Sequence, residues 1–178
     1  MRITISGPPG SGKTTACRLV AERLHLRVVI SGDIFRQLAK ESSMSLATFG
    51  SMCESDPDVD RRLDERMVEI ARSGDDLLLE GRLTAHMLTM HGIPAFRVYM
   101  GADLEVRAAR VVEREGGTQA QRKQEIVERE KCEARRYRAY YDIDINDRNI
   151  YDLVIDTTDK TPEQVSELIC DAAVAYHG

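Results

Sequence analysis

The chain has 178 residues, 42% of them apolar and 31% charged, which fits one domain with a proper buried core and leaves no sign of disorder. Its net charge of −5 argues against a general nucleic-acid binder, although arginines crowd the stretch from Arg107 to Arg138. No run approaches the roughly 18 apolar residues of a membrane span, and the N-terminus enters a strand directly, so a cytoplasmic chain is expected. Cys17, Cys53, Cys132 and Cys170 lack metal-type spacing and read as reduced packing thiols. His25, His86, His91 and His177 are equally dispersed and read as surface or packing residues.

A first strand, Ile3 to Ser6, leads straight into Gly7-Pro8-Pro9-Gly10-Ser11-Gly12-Lys13-Thr14-Thr15, with the G-x-x-x-x-G-K-T spacing of a P-loop. Its glycines let backbone N–H groups wrap a polyphosphate, Lys13 reaches the β- and γ-phosphates, and the Thr14 hydroxyl is offered to Mg²⁺. The helix that follows carries Ala16, Leu19, Val20 and Leu24 at helical spacing and turns its positive end toward the phosphates. Strand, loop and helix together imply ATP or GTP.

A second strand, Arg27 to Ser31, opens onto Ser31-Gly32-Asp33-Ile34-Phe35-Arg36. Asp56-Pro57 caps a helix bearing Val59, Leu63, Met67 and Ile70, which Ser73-Gly74 stops. Strands Leu77 to Glu80 and Phe96 to Met100 come next, then a long helical region broken at Gly116-Gly117, a natural lid hinge. After the strand Leu153 to Asp156, Thr161-Pro162-Glu163-Gln164 forms a capping box for a last helix whose expected buried stripe is Val165, Leu168, Ile169, Ala172 and Ala173. Alternation of helices with nearly continuous apolar strands predicts an α/β fold with a five-stranded parallel sheet flanked by helices.

Ligands of such sheets sit beyond the strand carboxyl ends. There Asp33 with Arg36, and Glu80-Gly81-Arg82, supply two guanidiniums suited to a second phosphate. Glu80 also stands where a Walker B acid would contact Mg²⁺.

The combination resembles the nucleoside monophosphate kinases, and within them the archaeal-type cytidylate kinases, over nearly the whole chain. The matching stretches are the P-loop, Ile30 to Arg36, Met44-Ser45-Leu46 with Phe49-Gly50, Asp56 to Asp60, Leu79 to Arg82, Glu105-Val106-Arg107, Arg114-Glu115-Gly116 and Ile150 to Val154. The resemblance implies transfer of the γ-phosphoryl group of ATP, with Mg²⁺, to CMP or dCMP. It implies acceptor contacts from Ser31, Asp33, Arg36, Gly81 and Arg82, an acceptor-binding flap over residues 32–72 and a helical lid over 107–138. Arg107, Arg110 and Arg114 share one helix, and one or two of them, Arg110 and Arg114 foremost, are expected to swing in as lid arginines. Arg129, Glu133 and Arg136 resemble an R-x-x-x-[DE]-x-x-R element whose carboxylate faces the acceptor ribose and whose arginines face phosphates. A monomer that binds small nucleotides, with no stable nucleic-acid or membrane partner, is expected.

There is no N-K-x-D or D-x-x-G pair for a GTPase switch and no D-x-D after the second strand for shikimate kinase. Gly32 to Arg36 also resembles the G-D-x-x-R helix start of adenylate kinases, although their D-G-[FY]-P-R element is missing, and an adenylate kinase-like activity stays as the alternative. A regulatory ATP-binding module would tolerate loss of arginines that this chain retains. The sequence offers no base-reading group that selects cytidine over adenosine.

Overall fold

The run Leu77-Leu78-Leu79 explains why the strands do not alternate. In the computed structural model, which describes residues 1–45, 48–49, 52, 55–74 and 76–176, all three side chains are at most 1% exposed, because helices cover both faces of the sheet. In chain order the elements are β1 (Arg2–Ser6), α1 (Lys13–Leu24), β2 (Arg27–Ile30), α2 (Ser31–Glu41), α3 (Pro57–Ser73), β3 (Leu77–Glu80), α4 (Thr84–Met90), β4 (Phe96–Gly101), α5 (Leu104–Glu115), α6 (Gln119–Tyr141), β5 (Leu153–Asp156) and α7 (Pro162–Ala175). The strands pair in parallel in the order β2-β3-β1-β4-β5. Leu46, Gly50, Cys53 and His177 lie outside the described residues.

One face of the sheet buries Ile3, Ile5, Leu78 and Val98 against Ala16, Cys17 and Val20 of α1 and Val165, Ile169 and Ala173 of α7. The other buries Val29, Leu77 and Leu79 against Met67, Val68 and Ala71 of α3, Met87 and Leu88 of α4, and Tyr137 of α6. Two smaller cores stand apart from these. Ala39, Phe49 and Val59 pack with Phe35 and Leu38 around α2 and the start of α3, with the Phe35 and Phe49 rings edge-on at 4.9 Å. Ala108, Val111 and Ile126 join α5 to α6. Each of these clusters is separate from the two that cover the sheet.

The expected caps are present. The Asp56 side chain accepts from the Asp58 N–H at 3.0 Å, and Thr161 and Gln164 complete the capping box at 3.3 and 3.0 Å. Two details differ. β2 ends at Ile30, and Ser31 already belongs to α2, because Ile30 alone holds the extended backbone of the cap position (φ −107°, ψ 123°). Leu168 is 45% exposed rather than buried. α7 packs through the rows Val165-Ile169-Ala173 and Ser166-Cys170, which centre its buried face on Ile169 and turn position 168 outward. Cys17, Cys132 and Cys170 are free thiols, and buried His86 lies edge-on to the Tyr151 ring. Among the described residues no helix is long and apolar enough to cross a membrane.

Parallel pairing brings the carboxyl ends of β1, β2 and β3 to one edge. Ile5 faces Glu80, and Ile30 faces Glu80 from the other side. The chain leaving β3 then passes α2 so closely that a Cβ on Gly81 would lie 2.4 Å from Thr84 Oγ1 and 3.1 Å from Ser31 Cβ. Only glycine fits that crossing.

Candidate active site

The P-loop is held from three sides. Gly10 takes φ +78°, and a Cβ there would meet the Arg107 carbonyl at 2.6 Å, so α5 presses directly on the loop. Arg107 is 8% exposed, donates to the carbonyls of Ala102 at 2.9 Å and Pro9 at 3.3 Å, and pairs with Glu130 at 3.3 Å. It braces the loop from its side and α6 from the other, a role unlike that of a swinging lid arginine. Arg110 donates to Thr157, at 2.7 Å to the carbonyl and 3.1 Å to Oγ1, while Thr157 Oγ1 donates in turn to the Ser11 carbonyl at 3.1 Å. The end of β5 is thereby tied to the loop by side chains.

Lys13 donates to the Pro8 carbonyl at 2.9 Å and lies 4.0 Å from Glu80 Oε1. Burial pulls its ammonium down to about 8, and the Glu80 carboxylate opposes that shift. A polyphosphate entering the loop would favour the charged form further. Beside the loop, a cleft of about 430 Å³ is bounded by Gly12, Thr15, Arg110, Thr157, Pro162 and Val165, with enough apolar wall for a base. In front of it, a polar opening of about 290 Å³ gathers Lys13, Thr14, Asp33, Arg36, Glu80, Arg82, Arg114 and Arg129. Asp33 and Arg36 pair with each other at its rim, and Arg114 pairs with its neighbour Glu115.

Across that opening lies a larger cleft, about 710 Å³, walled by Ser31 and Phe35 of α2, Asp60, Leu63, Asp64 and Met67 of α3, Gly81 and Arg82 after β3, and Arg129, Glu133, Arg136 and Tyr137 of α6. Arg82 is its hub. Its Nε donates to Glu133 at 2.5 Å and its Nη1 to the Gly7 carbonyl at 2.8 Å, so one guanidinium ties this cleft to the P-loop and the opening before it. Arg129 donates to the other oxygen of Glu133 at 2.8 Å, and Arg136 lies 2.9 Å from Asp60. Burial would raise the Glu133 carboxyl, but Arg82 and Arg129 outweigh it and hold the group below its ordinary value.

The expected acceptor residues therefore converge. Ser31, Gly81, Arg82, Arg129, Glu133 and Arg136 wall the large cleft, whereas Asp33 and Arg36 stand at the polar opening. Arg18, Asp64 and Thr157 also line the clefts with no site role read from the sequence, and so does Asp60, which closes the matching stretch Asp56 to Asp60 without having been given a role. The two aspartates carried a signal. They sit one turn apart beside the apolar Val59, Leu63 and Met67, where an unused carboxylate would be costly.

A P-loop at the edge of a sheet ordered 2-3-1-4-5, opening toward a second arginine-lined cleft, defines a P-loop kinase architecture. Residues 2–159 match the Cytidylate kinase-like family, and the chain belongs to it. It is 48% identical over 158 residues to a cytidylate kinase of Methanococcoides burtonii, covering 89% of this chain and 88% of that one. With a cytidylate kinase of Methanocorpusculum labreanum it shares 44% identity over 175 residues, 98% and 97% of the two chains. Among solved structures, an uncharacterized protein from Eubacterium ventriosum superposes with a TM-score of 0.76 at 17% identity, covering 99% of both chains. Shikimate kinase from Acinetobacter baumannii, in complex with shikimate, gives 0.63 at 17% identity, over 98% of this chain and 93% of that one. The structural likenesses speak for the fold alone.

Proposed function

We propose that the protein is a cytidylate kinase that transfers the γ-phosphoryl group of ATP to CMP or dCMP, giving ADP and CDP or dCDP. The observation that carries this reading is the arrangement of two clefts about one polar opening, where Lys13 and Arg82 meet and from which Arg82 extends into the larger cleft while donating to the P-loop carbonyl of Gly7. Phosphoryl transfer asks little covalent chemistry of a protein. It asks for alignment of the two substrates and positive charge where the equatorial oxygens develop theirs.

The donor's base would occupy the 430 Å³ cleft, with its polyphosphate in the loop from Gly7 to Thr15. Lys13 would neutralise the β- and γ-phosphates, Arg36 and Arg82 would hold the acceptor's α-phosphate, and Arg129, Glu133 and Arg136 would flank its sugar and phosphate. Arg114, exposed and beside the opening, is suited to swing onto the transferred group, while Arg110 supports the donor side. The Thr14 hydroxyl and the Glu80 carboxylate are hard oxygen donors at the opening and fit Mg²⁺, which would supply charge neutralisation when bound with the nucleotide. The segments 32–72 and 107–138 would close over the substrates and exclude water that would otherwise hydrolyse ATP. We place this activity in a cytoplasmic monomer.

Initial rates of ADP formation with ATP and each of CMP, dCMP, UMP, AMP, GMP and shikimate, with and without Mg²⁺, test the reading. CMP and dCMP should exceed every other acceptor, and only with the metal present. A preference for AMP or shikimate, or no acceptor-dependent turnover, would overturn it.

A further inference from the structure

Two carboxylates of α3 enter the acceptor cleft one turn apart, and their partners differ. Asp60 is matched by the Arg136 guanidinium at 2.9 Å. Asp64 is matched by a phenol: the Tyr141 hydroxyl donates to its Oδ2 at 2.7 Å. The other oxygen, Oδ1, has no role in that contact. Asp64 lines the cleft with the apolar Leu63, Met67 and Phe35, and Arg136 is the arginine whose charge reaches it.

Resting on the cytidylate kinase reading, we propose that Asp64, positioned by Tyr141, reads the Watson–Crick edge of the acceptor base and makes the cleft select cytosine over uracil. Cytosine presents an acceptor at N3 beside a donor at its 4-amino group, and uracil presents the reverse, a donor at N3 beside a carbonyl oxygen. A carboxylic acid protonated on Oδ1 offers the complementary order. Its O–H donates to N3, and Oδ2 accepts from the 4-amino group. Tyr141 fixes that order, because a hydroxyl that donates to Oδ2 keeps the carboxyl proton on Oδ1. Uracil in the same pose would set donor against donor and acceptor against acceptor, a mismatch that a dry cleft punishes heavily.

The acid's surroundings favour its neutral form. Burial pushes Asp64 up to about 7; the Tyr141 hydrogen bond and the Arg136 charge oppose this, and Asp60 and Glu65 add to it. The charged and titratable groups that act on it are Asp60 and Glu65 from α3 and Arg136, Tyr137 and Tyr141 from α6, while Arg61 acts on its partner Tyr141. Once ionised, Asp64 would still accept from the amino group but would repel the N3 lone pair, so recognition of cytosine weakens as pH rises through this range.

The test is kcat/KM for CMP and for UMP at saturating ATP, between about pH 6 and about pH 9, for the wild type, Asp64→Asn, Asp64→Ala and Tyr141→Phe. Affinity for an ATP analogue, measured in each variant, identifies the folded ones. Asparagine copies the protonated acid, its amide donating to N3 while Tyr141 holds its oxygen as acceptor. Asp64→Asn should therefore keep the preference for CMP and lose the alkaline decline that the wild type shows. Titration of the acceptor's phosphate is common to both enzymes and cancels in the comparison. Asp64→Ala and Tyr141→Phe should lower the CMP-to-UMP ratio about 10-fold or more, chiefly through KM. Ratios within about threefold of wild type in both of these variants, or an alkaline decline that persists in Asp64→Asn, would overturn the proposal. Failure of the underlying reading shows elsewhere, as a wild type that does not use CMP at all.

Discussion

Glu133→Gln removes one negative charge from between two arginines and leaves the shape of the side chain almost unchanged. The Glu133 side chain is 6% exposed and that of Arg82 15%, so water replaces the lost partner of Arg82 only in part. Arg129, at 63%, can turn outward and should add little. Breaking a buried pair by neutralising one member costs about 3–5 kcal/mol. The bond from Arg82 to the Gly7 carbonyl survives, and the amide oxygen of glutamine still accepts, which together bring the expected loss to about 2 kcal/mol. For a chain of this size that is a fall in Tm of about 4–8 °C. Urea unfolding followed by circular dichroism measures it directly. The sign with pH is fixed: the carboxyl is held low in the folded protein, so its stabilisation is full above the unfolded value of about 4.3 and disappears as pH falls through the lowered folded value. The difference between wild type and variant should shrink in acid. A Glu133→Gln protein within about 0.5 kcal/mol of wild type near neutral pH would refute the reasoning, as would the absence of coupling with Arg82→Leu in a double-mutant cycle.

Gly10→Ala should weaken ATP binding at least about 10-fold and lower stability by about 1–3 kcal/mol, since its Cβ would meet a backbone carbonyl at a positive φ; calorimetric titration with an ATP analogue checks the first and thermal unfolding the second. Arg110→Ala cuts the links from α5 to Thr157 and should raise KM for ATP about 10-fold with the acceptor KM unchanged in steady-state kinetics. An acceptor KM that moves equally would place Arg110 at the transferred phosphoryl group instead.

The P-loop, the five strands and the helix caps were legible because each rests on local chemistry: glycine at tight turns, a threonine hydroxyl at a helix start, apolar runs long enough for a strand covered on both faces. What was not legible depends on rotation and distance. Leu168 satisfies helical spacing as well as Ile169 does, and only the packing direction of α7 on α1 and the sheet decides which of them is buried. Arg107 and Arg114 lie seven residues apart on α5, yet one is buried against the P-loop and the other pairs with Glu115 in solvent. The residues that gather at Arg82 come from positions 7 and 133, and no sequence window spans them. Tyr141 meets Asp64 across 77 positions, which is why the Asp64 wall of the cleft had no motif to announce it.

The arginines of the acceptor side arrive with anions already in place: Arg36 with Asp33, Arg82 and Arg129 with Glu133, Arg136 with Asp60. On the proposed reading, an incoming phosphate would be exchanged for a resident carboxylate rather than drawn into bare positive charge. Exchange of like for like holds ground-state affinity down and lets a more highly charged diphosphate depart. The guanidiniums remain available for the moment when negative charge spreads between the substrates, and a catalyst that must release its product gains more from that restraint than from a tighter grip.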